Sequence, residues 1–487
     1  MNRRRFLKTS ALTAGSFALW PSAITKARAQ TSVHARVRGA NEDIRVAVIG
    51  FNGRGRDHLK ELSELPGVRI AALCDVDSSV LEREVKRFKD KNQEVAGFQD
   101  IRKLLENPDI DAVTIATPNH WHTLAAFWSV QAGKDVYVEK PMSHNVWEGR
   151  QLVNLTGKCD RIVQVGTQCR SSVGLREAMA WLHEGNLGKI IRARGLCYKR
   201  RKSIGLTTGP QPIPPTVDYD IWVGPAPMTP PRREKFHYDW HWFWATGNGD
   251  IGNQGVHQMD LARWALGENA VSPAVFSFGG RLGYVDDGET PNTQIVYHDY
   301  KAAPLIFEVR GLPANSTTDK MDKYRGADVG IVVDCEHGYM VIPSYSEALV
   351  FDKDDKQIKQ FKQGGSHFAN FLEAVRNRKP DGLHAPVIEG HVSAALVHTG
   401  NISYRLGKHV SPDEMRDRIK NTPDAVECLG RMQEHLAANS VDLAKTPATL
   451  GAFLKMDPNT ERFGGNGKAN KLLTREYRHP FVVPEKV

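Results

Sequence analysis

Long apolar runs and paired cysteines are both scarce in this 487-residue chain. Residues 11–20 are apolar but too few to cross a bilayer. No later stretch approaches the ~20 residues a spanning helix requires, so no stable membrane span is expected. The six cysteines (Cys74, Cys159, Cys169, Cys197, Cys335 and Cys428) form no C-x-x-C pair. Their spacing indicates neither a zinc site nor a disulfide framework, and burial as small apolar side chains is expected. Charge of one sign is also scarce. Six of the nine excess positive charges are Arg3, Arg4, Arg5, Lys8, Lys26 and Arg28, in a segment without acids. The remainder is close to neutral, which leaves no basic footprint for nucleic acid.

Those six charges belong to a pattern. Paired arginines in NRRRFLK precede the apolar stretch, and Ala27-Arg28-Ala29 follows as an A-x-A cleavage site. The order resembles a twin-arginine export signal. The expectation is a signal over 1–29, a leader over 30–43, the twin-arginine export machinery as partner, and a periplasmic or otherwise exported location.

What is present starts at Ile44. The run IRVAVI is apolar and β-branched, as a buried parallel strand is. Gly50, Asn52, Gly53, Arg54 and Gly55 make a tight turn, and RDHLKELSEL follows with helical spacing. Strand, glycine turn and helix is the setting of a dinucleotide fingerprint, in which the backbone approaches a pyrophosphate at a helix N-terminus. Asn52 stands where that fingerprint has its second glycine. The next apolar strand, VRIAALC, ends at Asp75, twenty residues beyond Gly55. A carboxylate there accepts from ribose hydroxyls and repels a 2′-phosphate, which favours NAD over NADP.

Residues 44–170 alternate strand and helix patterns. DAVTIA leads into Thr117-Pro118-Asn119-His120-Trp121-His122, and DVYV leads into Glu139-Lys140-Pro141. Residues 98–106 read as a helix. Repeated β-α units predict a Rossmann doubly wound parallel sheet, with ligand at the carboxyl ends of its strands. From 171 to 408 an α/β domain with a large, mainly antiparallel open sheet is expected, its strands at 189–199, 274–278, 293–298, 305–310, 330–335 and 339–342. Residues 203–231 are Pro- and Gly-rich and read as an irregular loop. Residues 409–487 read as a tail that wraps the body or a neighbouring subunit.

These residues together resemble the Gfo/Idh/MocA oxidoreductases. The carrying motifs are the glycine turn, Asp75, Thr117-Pro118-Asn119 with His122, Glu139-Lys140-Pro141, and the segment GDIGNQGVHQMD at 249–260. The wording is most similar to an exported branch of that family. The resemblance implies tightly held NAD and a carbohydrate-like substrate. It places Lys140 beside nicotinamide and substrate oxygen, His257 as the catalytic histidine, and Asn119 and His122 in the cofactor crevice. The family often has an aspartate four residues before this histidine. Here it is Asn253, which cannot take a proton, so the base is left open among His257, Lys140 and nearby carboxylates. Asp250 and Gln254 are candidate substrate contacts.

Lys199-Arg200-Arg201-Lys202 is either a solvated face or a contact for an acidic sugar through Arg200. The aromatic cluster around Trp240 either stacks on sugar or packs a core. Three functions follow: NAD-dependent hydride transfer on a sugar, polyol or glycoside; redox-neutral glycoside cleavage through a transient keto-sugar; or cofactor-retaining carbohydrate binding without catalysis. The histidine-rich motif associated with the family's NAD-dependent glycosidases is not evident. Pairing of open sheets in the family implies a homo-oligomer.

Overall fold

The computed structural model describes residues 43–486. The signal at 1–29, and all but the last residue of the leader, lie outside them. Six strands, β1 (Ile44–Ile49), β2 (Val68–Cys74), β3 (Ala96–Phe98), β4 (Ala112–Ile115), β5 (Asp135–Glu139) and β6 (Val163–Gly166), form one sheet in the order β3-β2-β1-β4-β5-β6. Every pairing is parallel. The order reverses between β1 and β4, which opens a crevice at their carboxyl ends. Residues 98–106 are a short strand end followed by a helix at Ile101–Leu105, not one helix. Asp100 caps that helix by accepting from Arg102 N at 2.9 Å, so the chain turns before the helix begins.

Both faces of this sheet are covered. Ile49, Val113 and Val138 pack with Leu124, Phe127 and Leu152 on one side. On the other, Val46, Val48 and Tyr137 meet Leu59, Leu62 and Phe368. Phe368 comes from helix His367–Asn377, and its ring lies 4.6 Å from that of Tyr137. That helix was expected in the second domain; it covers the Rossmann sheet instead.

The second sheet is built on β7 (Ile190–Tyr198), β8 (Ala274–Gly280), β9 (Thr293–His298), β10 (Leu305–Arg310), β11 (Val329–Cys335), β12 (Gly338–Ile342), β13 (Glu347–Asp352) and β14 (Gln357–Lys362). Only β7 with β10 is parallel among these pairs. One face packs Met179, Met259 and Leu396 of three helices against Phe307, Ile331 and Met340. The loop at 203–231 contains a short helix, Tyr219–Val223, capped by Asp218 accepting from Ile221 N at 3.0 Å.

Residues beyond 408 wrap this body. Thr449–Leu450 and Leu454–Asp457 pair with β8. Cys428, Leu429 and Met432 of helix Pro423–Ala438 pack on Phe278, Ile295 and Ile306. Arg431 of that helix reaches the buried Arg194–Glu308 pair, where Tyr198 OH donates to Glu308 at 2.7 Å. The sheet face over β8–β10 is thus covered by the chain itself. All six cysteines are free, and five are buried. Among the described residues no helix is long and apolar enough to cross a membrane.

Burial sets an acid limit on this fold. His120, His298 and His398 are buried, and desolvation lowers each pKa to about 3. Unfolded, each ring binds a proton near pH 6.5. The unfolded state therefore holds more protons between pH 6.5 and 3, and stability falls as pH falls through that window. Urea denaturation at pH 7.5 and 5.0 should show a loss of roughly 2 kcal/mol per ring at the lower pH. Equal midpoints at both pH values would show that these rings are charged in the fold.

Candidate functional site

The carboxyl ends of β1, β2, β4 and β5 open into one cavity of ≈ 330 Å³, closed on its far side by the second domain. The glycine turn forms its floor. Gly50 has φ +76°, and a Cβ there would lie 3.0 Å from the Ala116 carbonyl oxygen. Gly55 begins helix Gly55–Ser63, and its Cβ would stand 2.0 Å from the Gly50 carbonyl oxygen. Only hydrogen at both positions lets the helix start against the strand end. Gly53 faces open space, with nothing within 4 Å of where a Cβ would be. Asn52 accepts from Arg56 at 3.1 Å and braces the turn from outside.

Asp75 lines the cavity at the end of β2. Its carboxylate accepts from Phe51 N and Asp77 N, each at 3.1 Å, so the acid also ties the glycine turn to β2. Burial raises its pKa, against those two bonds. Glu139 is a structural anion. It accepts from Arg54 Nε at 2.9 Å and Gln168 Nε2 at 2.9 Å, and His58 Nε2 lies 3.1 Å away. Despite the cost of burial, these partners hold its pKa well below the usual carboxylate range.

Thr117, Pro118 and Asn119 line the same cavity. Thr117 Oγ1 is buried there without a partner. Asn119 Nδ2 donates to Asn248 Oδ1 at 3.2 Å across the domain boundary. His122 stands between two carbonyls, 2.6 Å from that of Pro141 and 2.7 Å from that of Thr117, and so joins the β4 and β5 loops. Trp121 also lines the cavity, and both it and His120 are tied to helix Tyr219–Val223. The His120 ring lies 3.0 Å from the Trp222 carbonyl, and Trp121 Nε1 donates to Ile221 O at 2.9 Å.

Lys140 follows β5 and crosses the cavity. Its ammonium donates to the backbone carbonyl of Asn253, on helix Gly249–Asn253. Burial lowers its pKa, and Arg54 and Lys199 add to the effect. Asn253 lines the cavity; His257 does not. His257 is 4% exposed, its ring is 4.9 Å from that of Tyr345, and its Nδ1 is buried without a partner. Desolvation, then the charge of Lys140, takes its pKa to about 3.

The nearby carboxylates are engaged. Asp250 forms a two-point ion pair with Arg201 at 2.7 and 3.0 Å. Asp260 accepts from Arg170 at 2.8 Å and Ser393 at 2.6 Å. Gln254 accepts from Lys199 Nζ and donates to Tyr345 OH, both at 3.0 Å. Trp240 lines the cavity, its ring stacked 3.6 Å from that of His241. Arg200 points away from Asp250. It bonds Asp319 at 3.1 Å and the Arg201 carbonyl, whereas Arg201 turns to Asp250. Successive side chains after β7 leave opposite faces, so only one of the two arginines reaches the site. His241 lines the cavity, while Lys199, Arg201 and Tyr345 bond Gln254 and Asp250 outside its lining; sequence reading gave none of the four a role of its own. Lys199 and Arg201 lay within the basic run, and Tyr345 carried no signal.

A doubly wound sheet whose strand ends face an α/β domain across a glycine-floored cavity defines a two-domain dinucleotide-binding oxidoreductase fold. Family comparison agrees with that class. The family model described as "Oxidoreductase family, NAD-binding Rossmann fold" matches residues 44–167, and the model for its "C-terminal alpha/beta domain" matches residues 187–300. The chain belongs to the Gfo/Idh/MocA oxidoreductase family.

Among its relatives is a "Glycosyl hydrolase family 109 protein" of Shewanella pealeana, 33% identical over 166 residues, 32% of this chain and 36% of that protein. A protein of the same name from Saccharopolyspora erythraea is 32% identical over 161 residues, 32% of this chain and 35% of that one. The chain thus spans about a third of the length of the curated relatives it matches. The WlbA dehydrogenase of Bordetella pertussis, solved with NADH and UDP-GlcNAcA, superimposes with a TM-score of 0.53 at 18% identity. The match covers 73% of this chain and 94% of that one. An oxidoreductase of Thermotoga maritima gives 0.52 at 18% identity, over 73% and 96%. At such identity the likeness is one of fold.

Proposed function

We propose that this chain is an NAD-dependent oxidoreductase acting on a sugar, polyol or glycoside. The observation that carries the reading is the convergence of the glycine turn, Asp75, Lys140 and Asn253 on one cavity. The cavity fits a dinucleotide: Gly53 leaves its side open, and Thr117 Oγ1 waits without a partner. Bound there, NAD supplies the hydride acceptor and donor. The turn and the first N–H groups of helix Gly55–Ser63 hold pyrophosphate. Asp75 holds the ribose. Lys140 holds the reacting oxygen and, with its lowered pKa, accepts and returns its proton. His257, with a pKa of about 3, is too weak a base to keep that proton; it stays neutral and orients the site. Asn253 positions Lys140 through its carbonyl.

Asp75 gives this reading a specificity test. The Asp75→Asn variant keeps an acceptor for Phe51 N but loses the charge. Its preference for NAD over NADP should fall about tenfold in titrations of both dinucleotides. An unchanged ratio would remove Asp75 from cofactor choice.

A second reading, redox-neutral glycoside cleavage, draws support from the names of the relatives and from the engaged carboxylates around Asn253. The order of the amino-terminal motifs supports export, and with it a resident cofactor. One experiment separates these readings: mass spectrometry of cofactor released from purified protein, with absorbance near the reduced-nicotinamide band during a pooled-carbohydrate screen. Net oxidation predicts a lasting absorbance change. Cleavage without a lasting change supports the second reading. Bound cofactor with no carbohydrate converted would defeat both and leave a binding protein.

A further inference from the structure

A second cavity, ≈ 370 Å³, shares no lining residue with the first. Distant parts of the chain build it: the loop at His144 and Asn145, Pro227, residues 244–248, the last turns of helix Val387–Arg405, and residues 471–476. Its wall holds three cations, Arg405, Lys471 and Arg475, and one acid, Glu476.

Neither Arg405 nor Lys471 has a carboxylate within ion-pair distance among the described residues, and the Arg405 guanidinium lies 5.1 Å over the Trp244 ring. Arg475 donates to the Ala245 carbonyl at 2.7 Å, and its Nη1 lies 3.2 Å from His144 Nδ1. The acid that acts on it, Glu148, is already engaged by His144 N, Asn145 Nδ2 and Tyr477 OH. Burial lowers the pKa of both arginines; at Arg405 the charge of Glu289 offsets part of this and that of Arg475 adds to it. Three cations face this space against a single lining acid, Glu476, and the excess positive charge is an electrostatic cost that a bound anion would relieve.

We propose that this cavity binds a small oxyanionic molecule, its carboxylate or phosphate held by Arg405, Lys471 and Arg475. The volume is more than a bare ion fills and suits a body the size of a monosaccharide. The two cavities are separate spaces, joined only at the Asn119–Asn248 hydrogen bond among the described lining residues, so filling this one does not require turnover in the other.

Calorimetric titration of the purified full-length protein tests this with four probes: glucuronate, glucose 6-phosphate, inorganic phosphate and glucose. At least one anion should bind, glucose should bind at least tenfold more weakly, and added salt should weaken the anion. The Arg405→Gln, Lys471→Gln double variant should lose at least tenfold in affinity, while Lys140→Met, altered only in the first cavity, should bind normally. Inorganic phosphate binding as tightly as glucose 6-phosphate assigns the site to free phosphate; preference for glucuronate assigns it to a sugar acid. A failure of all three anions to bind, equal binding of glucose, or undiminished binding by a double variant that melts like the parent overturns the proposal. Loss of binding in Lys140→Met does so too.

Discussion

Replacing Lys140 with methionine is expected to lower turnover about a thousandfold while bound dinucleotide is retained. The side chain leaves a Rossmann strand end within the cavity and touches the second-domain wall, through the Asn253 carbonyl. Methionine fills similar space, so the fold should survive. The loss is that of an ammonium that holds an oxygen as it gains charge and relays its proton. Lys140→Arg sharpens the result: a guanidinium keeps the charge but cannot give up a proton near neutral pH. Failure of arginine to restore turnover points to proton transfer; restoration points to charge alone. Wild-type turnover in Lys140→Met would remove the residue from the chemistry.

The second large effect is expected at Gly55. Its alanine variant would bring Cβ to 2.0 Å from the Gly50 carbonyl oxygen, and the opposing atoms are backbone, which cannot rotate away. The helix must retreat from the turn. That should cost roughly 1–3 kcal/mol of stability. Dinucleotide affinity should fall at least a hundredfold, because the N–H groups move with the helix. Gly53→Ala is the informative contrast. Nothing lies within 4 Å of its Cβ, so the cofactor-free protein should melt unchanged, yet the added methyl would intrude where the pyrophosphate is expected. Calorimetric melting and dinucleotide titration of both variants decide the matter. Normal binding by Gly55→Ala would mean that this turn is not the cradle.

The parts of the molecule differ in how far they could be read in advance. The central Rossmann strands announce themselves because they are short apolar runs buried on both faces; in Ala112–Ile115 and Asp135–Glu139 every residue is buried, whereas the exposed edge strand Ala96–Phe98 carried no such signal. The strands Glu347–Asp352 and Gln357–Lys362 were not foreseen. Five of the six residues of Gln357–Lys362 are exposed, so sheet edge and polar loop look alike in one dimension. The buried network of Arg194, Glu308 and Arg431 was equally hidden, since its members lie up to 237 residues apart and no local pattern pairs them.

By itself, the sequence determined the doubly wound sheet, the glycine turn after β1, the acid after β2 and the lysine after β5. Each is local: periodicity sets the strand, and the residue that follows it lands at the carboxyl edge by chain connectivity alone. Tertiary structure decided what faces what. It selected Arg201 over Arg200, because Lys199 N and Arg201 N both donate toward the β10 end, at Arg310 O and Gly311 O, and alternation then turns Arg200 away. It bound Asp250 and Asp260 to arginines, set His257 behind the cavity wall, and closed a second cationic cavity with residues 471–476. Such pairings depend on register and on contacts between distant segments, which long-range packing alone establishes.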